Sequence, residues 1–376
     1  LEIDAVSEKM NVAVVGMGKM GLSHFAIVNA HPEVRAIVCE STGFLADGLE
    51  KYISNKVYRS FADLLADDAL DAVVIATPSR SHAAMVRQAL DKRLHVFCEK
   101  PFCLDWRGSE ALSAEAAEHG LVGQVGYHYR FVASFREMKR ILDSAALGRV
   151  TQVLAEAYGP VVLAHKRGTW RTDKAEGGGS LFDYAAHPVN LLNWFFGVPD
   201  AVSGSVLTPV FSDATDDQVC ATLQWQDGPV AQLAVNWSDE SFRKMSTKIS
   251  IIGTNGRIVA DRQECQLYLR QASPALPDYE KGWTVRYTTD LTQDQWFYLR
   301  GEEYSAQING FVAAIRNGSG RPVENDFNSA AQTDRTLAMI VDNATSGVAV
   351  RDATAPPVRP RASWLRRLFG QKQASY

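Results

Sequence analysis

The sequence predicts an α/β chain in two parts, an N-terminal doubly wound parallel sheet followed by a C-terminal α+β domain on a mixed, largely antiparallel open sheet. Three observations carry this reading. From residue 11 to about 130, short apolar runs take turns with longer amphipathic ones; a glycine-rich turn joins the first run to the first helix; and after about residue 133 the runs lengthen and begin to alternate. A length of 376 residues with 46% hydrophobic side chains is enough for two cores.

Taken in order, Asn11–Val15, Ala36–Cys39, Asp71–Ala76, His95–Cys98 and Leu121–Val125 are short, β-rich and nearly free of polar alternation, as strands buried on both faces are. Helical segments lie between them at Gly21–Ala30, Phe61–Leu65, Ser81–Asp91 and Trp106–His119. Strand then helix, repeated, makes a parallel sheet. A helix over Phe135–Ser144 opens the second part. Strand-like runs follow at Val150–Tyr158, Ala201–Leu207, Val219–Trp225, Val230–Trp237, Thr247–Ile252, Arg257–Ala260, Gln266–Arg270 and Trp283–Tyr287. Turn signals such as Gln226-Asp-Gly-Pro229 and Gly253-Thr-Asn-Gly256 separate some of them. Two further helices, Gly301–Arg316 and Asn328–Ser346, either cover this sheet or pack back on the first domain. The expected division is 10–133, 134–350 and a basic, flexible tail at 351–376.

Charge and cysteine usage narrow the function. With 39 Lys and Arg against 43 Asp and Glu, the net charge of −4 supplies no global field for a polyanion, which disfavours nucleic acid. Five cysteines without a CxxC pair read as reduced core thiols and point to the cytoplasm. No apolar stretch reaches the length of a membrane span, and Leu1–Lys9 is polar and acidic, unlike a secretory leader. No HExxH or cysteine pair offers a metal site, and no GxSxG or kinase signature is present. The tail from residue 353 carries five cations and no acid. Its segment Trp364-Leu-Arg-Arg-Leu-Phe369 reads as a disordered appendage or a weak contact to an anionic surface.

Gly16-Met-Gly18-Lys-Met-Gly21 follows the first strand and opens a helix. Such glycines allow a tight turn and close backbone approach to a pyrophosphate, which the helix N-terminus then binds. An acid, Glu40, ends the second strand, 19 residues after the last glycine, where it accepts from an adenosine ribose hydroxyl and repels a 2′-phosphate. Gly16, Gly18, Lys19, Met20, Gly21 and Glu40 are therefore expected to bind a dinucleotide, NAD in preference to NADP. The plainer reading of Glu40 is a solvated strand-end carboxylate.

Three more motifs follow in order: Ala76-Thr-Pro78-Ser-Arg-Ser-His82, Cys98-Glu-Lys-Pro101, and Gly177-Gly-Gly179-Ser-Leu-Phe-Asp183-Tyr-Ala-Ala-His187. With the opening glycines, these resemble the Gfo/Idh/MocA family of NAD(P)-dependent oxidoreductases, which act on sugars, inositols and nucleotide sugars. The resemblance spans roughly residues 10–350. It implies that Lys100 and His187 are catalytic and that Asp183 binds and orients substrate. It further implies that Thr77, Pro78, His82, Glu99 and Lys100 line the cofactor, and that Tyr127, Arg130, Trp170 and Arg171 meet substrate along with Lys100, Asp183 and His187.

Each residue also has a bland reading. Lys100 can be a surface ammonium paired with Glu99, and Pro78 an ordinary turn residue. Asp183 and His187, four apart on a helix face, can bond only to each other. Gly177–Gly179 reads as a flexible lead-in, Pro101 as a candidate cis proline, and His82 as a cap. Lys166, Arg167 and Arg171 form a basic cluster that suits either a substrate diphosphate or a solvated loop. The chain is thus expected to oxidise, or reduce, a ring position of a sugar, a nucleotide sugar being favoured by that cluster, with inositol or a free sugar as the alternative. Two readings of other classes are a non-catalytic NAD-binding regulator and a glycosidase that retains NAD. A homodimer or homotetramer is implied by the resemblance alone.

Overall fold

The computed structural model describes residues 8–165, 169–318 and 323–352. Six strands, β1 (Met10–Val15), β2 (Val34–Cys39), β3 (Val57–Tyr58), β4 (Ala72–Ile75), β5 (His95–Cys98) and β6 (Gly123–Val125), pair in the order β3-β2-β1-β4-β5-β6. All of these pairings are parallel. The helices between them are α1 (Lys19–Ala30), α2 (Gly43–Tyr52), α3 (Phe61–Leu64), α4 (His82–Asp91) and α5 (Trp106–Glu118). Val12, Ala13, Val14, Val73, Val74 and Ile75 are almost completely buried, which explains why their runs carry no polar alternation. Helix α2 and strand β3 left no mark in the sequence. Only Ala46 of α2 is buried while Phe44 is 85% exposed, so no apolar period marks the helix, and β3 has two residues.

The second part holds α6 (Ala133–Asp143), β7 (Val150–Tyr158), α7 (Ala186–Phe196), β8 (Ala201–Thr208), β9 (Gln218–Gln224), β10 (Val230–Asn236), β11 (Ser246–Gly253), β12 (Gly256–Ala260), β13 (Glu264–Leu269) and β14 (Gly282–Tyr287). It ends in α8 (Thr288–Leu291), α9 (Glu302–Arg316), α10 (Phe327–Ser346) and β15 (Val350–Arg351). Nine strands pair in the order β14-β13-β12-β11-β7-β10-β9-β8-β15. Strands β7 and β10 run parallel and the other pairings are antiparallel. One face buries Val153, Ala155, Ala157, Val219, Ala221, Leu223, Ala231, Leu233 and Val235. Residues between them alternate outward, as in a sheet with one solvated face.

The two late helices tie the sheets together. Tyr304, Ile308, Phe311 and Val312 of α9 share a core with Val12, Val14, Val38 and Phe97 of the first sheet. Helix α10 lies against α5, α7 and β8. The crevice at the carboxyl ends of β1, β4 and β5 therefore meets the second part along a packed seam. Among the described residues the five cysteines are unbridged, and no helix is long and apolar enough to cross a membrane.

Candidate active site

The glycine turn has the shape the sequence predicted. Gly16 adopts φ +85°, and a Cβ on Gly21 would collide with the carbonyl oxygen of Gly16, so only glycine lets α1 close on β1. Gly18 is the N-cap of α1 and makes no side-chain cap bond. Nothing lies within 4 Å of a Cβ built on it, so the helix N-terminus stands open to an anion. Lys19 is exposed in the first turn, whereas Met20 packs against the core shared with α9.

Glu40 is only 6% exposed. Its Oε2 accepts from Met17 N and its Oε1 from Thr42 N, both at 2.7 Å. Burial pushes the carboxyl up, but the N–H groups of Thr42 and Met17 outweigh it and hold it below the usual carboxylate range. Each oxygen keeps a second lone pair for a ribose hydroxyl. An open helix terminus, a glycine cradle and a fixed carboxylate together fit a dinucleotide without a 2′-phosphate.

At the end of β4, Thr77 Oγ1 bonds Ser81 Oγ at 2.8 Å, and Pro78 starts the turn into α4. His82 corrects an expectation. It is 1% exposed, with Nδ1 2.8 Å from Pro101 O and Nε2 3.0 Å from Thr77 O. Both ring nitrogens face backbone carbonyls, and the neutral ring donates to one of them, so it packs between two strand-end turns instead of facing the crevice. Glu99 is also buried, its Oε1 2.7 Å from His24 Nε2 and its Oε2 accepting from Lys100 N.

Lys100 is not a surface partner of Glu99. Its Nζ donates to Asp183 Oδ1 and Asp183 O, each at 2.8 Å, and the side chain is 14% exposed. The Lys100–Pro101 peptide is cis. Arg171 Nε donates to Asp183 Oδ2 at 3.2 Å, so two cations share one carboxylate. Burial alone would raise the Asp183 carboxyl, but Lys100 and then Arg171 bring it below its ordinary value.

Asp183 and His187 do not bond to each other. Leu181–Ala185 forms a π turn ahead of α7, an irregularity common at functional sites, and it delivers Asp183 to Lys100. The triple glycine is close-packed, not flexible. A Cβ on Gly178 would enter the carbonyls of Arg171 and Trp170, and one on Gly179 would meet the Asp216 carboxylate. Asp216 Oδ2 then accepts from Ser180 Oγ and Leu181 N at 2.8 and 2.7 Å, anchoring the start of the turn.

His187 is 4% exposed and is met edge-on by Tyr129 and His128, each at 5.0 Å, and by Tyr127 at 6.2 Å. Its Nδ1 is buried and has no hydrogen-bond partner among the described residues. Burial, then Lys100, His128 and Arg262, push the imidazole well below its ordinary value, so it is uncharged at neutral pH.

Two other expectations are corrected. Tyr127 is 1% exposed and its ring backs His187 from the interior. Arg130 is 5% exposed, donates to Asn190 Oδ1 at 2.9 Å and Asn190 O at 3.3 Å, and lies over Trp194. It braces α7 and has no open face for substrate. Trp170 is 42% exposed with the Arg171 guanidinium 4.4 Å above it. Lys166 and Arg167 lie outside the described residues.

Sequence reasoning missed Asp334, Thr333 and Thr336, which place α10 as a rail under the site. Asp334 Oδ2 accepts from Cys103 N at 3.0 Å and Ser109 Oγ at 2.6 Å, fixing the turn that carries Lys100. Asn190 and Asn193 of α7 donate to Thr333 and Thr336, each at 3.0 Å. One helix thus holds both the lysine turn and the histidine helix. It also missed Arg262, Glu303 and Tyr304, where the β12–β13 turn meets α9 beside Tyr129 and His128; no motif surrounds them.

A dinucleotide cradle facing a lysine, a carboxylate and an uncharged buried histidine defines a dehydrogenase class of oxidoreductase. Residues 10–127 match the oxidoreductase family with an NAD-binding Rossmann fold, and residues 135–259 match the GFO/IDH/MocA C-terminal domain. The chain belongs to the Gfo/Idh/MocA family of oxidoreductases. It is 27% identical over 295 residues to D-xylose 1-dehydrogenase (NADP(+)) 2 of Haloferax volcanii, covering 78% of this chain and 84% of that one. Against myo-inositol 2-dehydrogenase of Thermotoga maritima it is 23% identical over 326 residues, covering 82% and 89%. Its fold is similar to that of the WlbA dehydrogenase from Bordetella pertussis, solved with NADH and UDP-GlcNAcA. The TM-score is 0.78 at 19% identity, covering 93% of this chain and 100% of that one.

Proposed function

We propose that this chain is an NAD-dependent dehydrogenase that oxidises a ring hydroxyl of a sugar, or reduces the ketone, and that its sugar is nucleotide-linked. The observation that carries the chemistry is the pairing of Lys100 Nζ with Asp183 at 2.8 Å beside an uncharged His187. NAD, when bound, supplies the hydride acceptor. The residues that would hold it are Gly16, Gly18, Gly21 and Glu40, with Thr77 and Pro78 at the strand end. Glu40 favours NAD over NADP because a buried carboxylate repels a 2′-phosphate.

His187, uncharged at neutral pH, takes the hydroxyl proton of the carbinol at Nε2. Lys100, held in place by Asp183, hydrogen-bonds the same oxygen and stabilises its developing negative charge. Asp183 keeps lone pairs for a neighbouring hydroxyl. The full set of three residues argues against a non-catalytic regulator.

The nucleotide-linked reading draws on the WlbA neighbour's ligand and on Arg171 and Trp170, exposed at the cleft mouth. The relatives named for inositol and xylose support an inositol or free sugar equally. NADH formation with UDP-sugars, inositols and free aldoses separates these, and turnover of inositols alone overturns the nucleotide reading. The same proposal has copies of the chain associate through the open face of the second sheet. There Trp283, Val285 and Tyr287 of β14 are 59, 43 and 53% exposed on one face.

A further inference from the structure

The cleft wall formed from the second sheet and α9 carries charge that the reaction as derived does not use. Arg262 comes from the turn between β12 and β13, and its Nη2 pairs with Glu303 Oε1. Glu303 is fully buried on α9, and its Oε2 has no hydrogen-bond partner among the described residues. The arginine side chain is 39% exposed. Its guanidinium lies 5.9 Å over Tyr129, and Tyr129 meets His187 edge-on at 5.0 Å, so one aromatic ring stands between the cation and the base. Beside it, Tyr304 stacks on His128 at 4.8 Å and has the Arg300 guanidinium 5.4 Å from its ring centre.

A guanidinium offers five N–H donors in a rigid fork. Here the buried carboxylate engages one terminal nitrogen and fixes a guanidinium that stays partly exposed. Glu302 and Glu303 are the carboxylates that act on Arg262. Behind burial as the larger cause, His128 is pushed down by Arg262, Lys100, Arg300 and His24, and His187 by Lys100, His128 and Arg262. A planar, singly charged carboxylate matches the exposed part of such a guanidinium in both shape and charge.

We infer that Arg262 is a substrate-binding residue that takes a carboxylate carried on the sugar ring near the reacting carbinol, so that the preferred substrate is a sugar acid and not a neutral sugar. This rests on the sugar-dehydrogenase reading above and adds to it the charge of the ring substituent.

The test is equilibrium titration of the NADH-loaded protein with two matched pairs, UDP-glucuronate against UDP-glucose and D-glucuronate against D-glucose. The wild type is expected to bind the acid at least tenfold more tightly than its neutral partner in one pair or both. Arg262→Met is expected to bring the acid to parity while leaving the neutral sugar within about twofold, and Arg262→Lys to keep part of the preference. Because Arg262→Met strands a buried carboxylate, the double variant with Glu303→Gln is measured beside it and is expected to show the same parity. No acid preference in the wild type, or equal weakening of acid and neutral sugar in the variants, overturns the inference. NADH formation judges the broader reading separately. Tight, Arg262-dependent binding of the acid without turnover of any sugar overturns the dehydrogenase proposal and supports this one, whereas equal turnover of acid and neutral sugar overturns this one alone.

Discussion

Replacing Lys100 with Met removes the ammonium that makes two 2.8 Å bonds to Asp183 while keeping most of the side-chain volume. Two consequences follow from the geometry. The reacting oxygen loses its charged donor in a site where Lys100 and Asp183 are 14 and 13% exposed. Loss of one such donor costs about 2.7–4 kcal/mol of transition-state stabilisation, or roughly a hundredfold to a thousandfold in kcat. Asp183 keeps Arg171 Nε at 3.2 Å, so the carboxylate is not stranded, and the loss of stability should be about 1.5–3 kcal/mol, the range for one charge-assisted bond. The variant also tests the mechanism by its pH profile. Lys100 is the largest charge pushing His187 down, after burial, so Lys100→Met should move the acid limb of the residual kcat/KM upward, though still below pH 6.5. NADH binding followed by fluorescence should be unchanged, because the glycine turn and Glu40 are untouched. A kcat within threefold of wild type, or an acid limb that does not move, would overturn the roles given to Lys100 and His187.

In the wild type, the same depression of His187 places the acid limb for sugar oxidation below pH 6.5; a limb at or above that value in a kcat/KM profile contradicts an uncharged base. Asp334 is raised by burial from 3.8 to about 7, so the folded state holds its proton where the unfolded chain releases it. Its contribution to stability is full below pH 3.8 and lost as pH rises to about 7, a span on the order of 1–4 kcal/mol. Asp334→Asn should therefore gain in melting temperature relative to wild type as pH rises from 4 to 7 and stay level above, and a pH-independent difference between the two melting curves would count against this. Glu40→Ala should raise the KM for NAD at least tenfold and narrow the NAD over NADP preference, and an unchanged ratio removes Glu40 from cofactor choice. Trp283→Lys should shift elution in size-exclusion chromatography toward a smaller species if β14 meets a second copy; no shift over a hundredfold concentration range argues against that face.

Much of the site was legible because its first members sit at ends of local elements. Lys100 follows β5, Glu40 follows β2, and the glycines follow β1. A side chain at the carboxyl end of a parallel strand has one crevice to enter. The strand pattern put Lys100 in that crevice, whereas Asp183 and His187 were nominated by the resemblance to the family, their spacing alone reading as a helix-face pair. The nominations that changed were those where chemistry was read without burial. Arg130 looked like a substrate cation and is a brace on Asn190; His82 looked like a cofactor contact and is a staple between Thr77 and Pro101. Polarity reports what a side chain can bond to, but not which partner the packing brings to it.

By itself, the sequence determined the features that depend on near neighbours along the chain: the apolar runs of the parallel sheet, the alternation of the open sheet, the turn that needs glycine, and the dinucleotide-binding end of α1. Tertiary structure alone decided the charge state and geometry of the centre. Asp334 reaches Cys103 across 231 residues and Lys100 reaches Asp183 across 83, and Arg262 reaches Glu303 of α9 across 41. Burial and pairing set the proton affinity of His187 and Asp183. Both follow from packing between distant segments, whose partners no local pattern encodes.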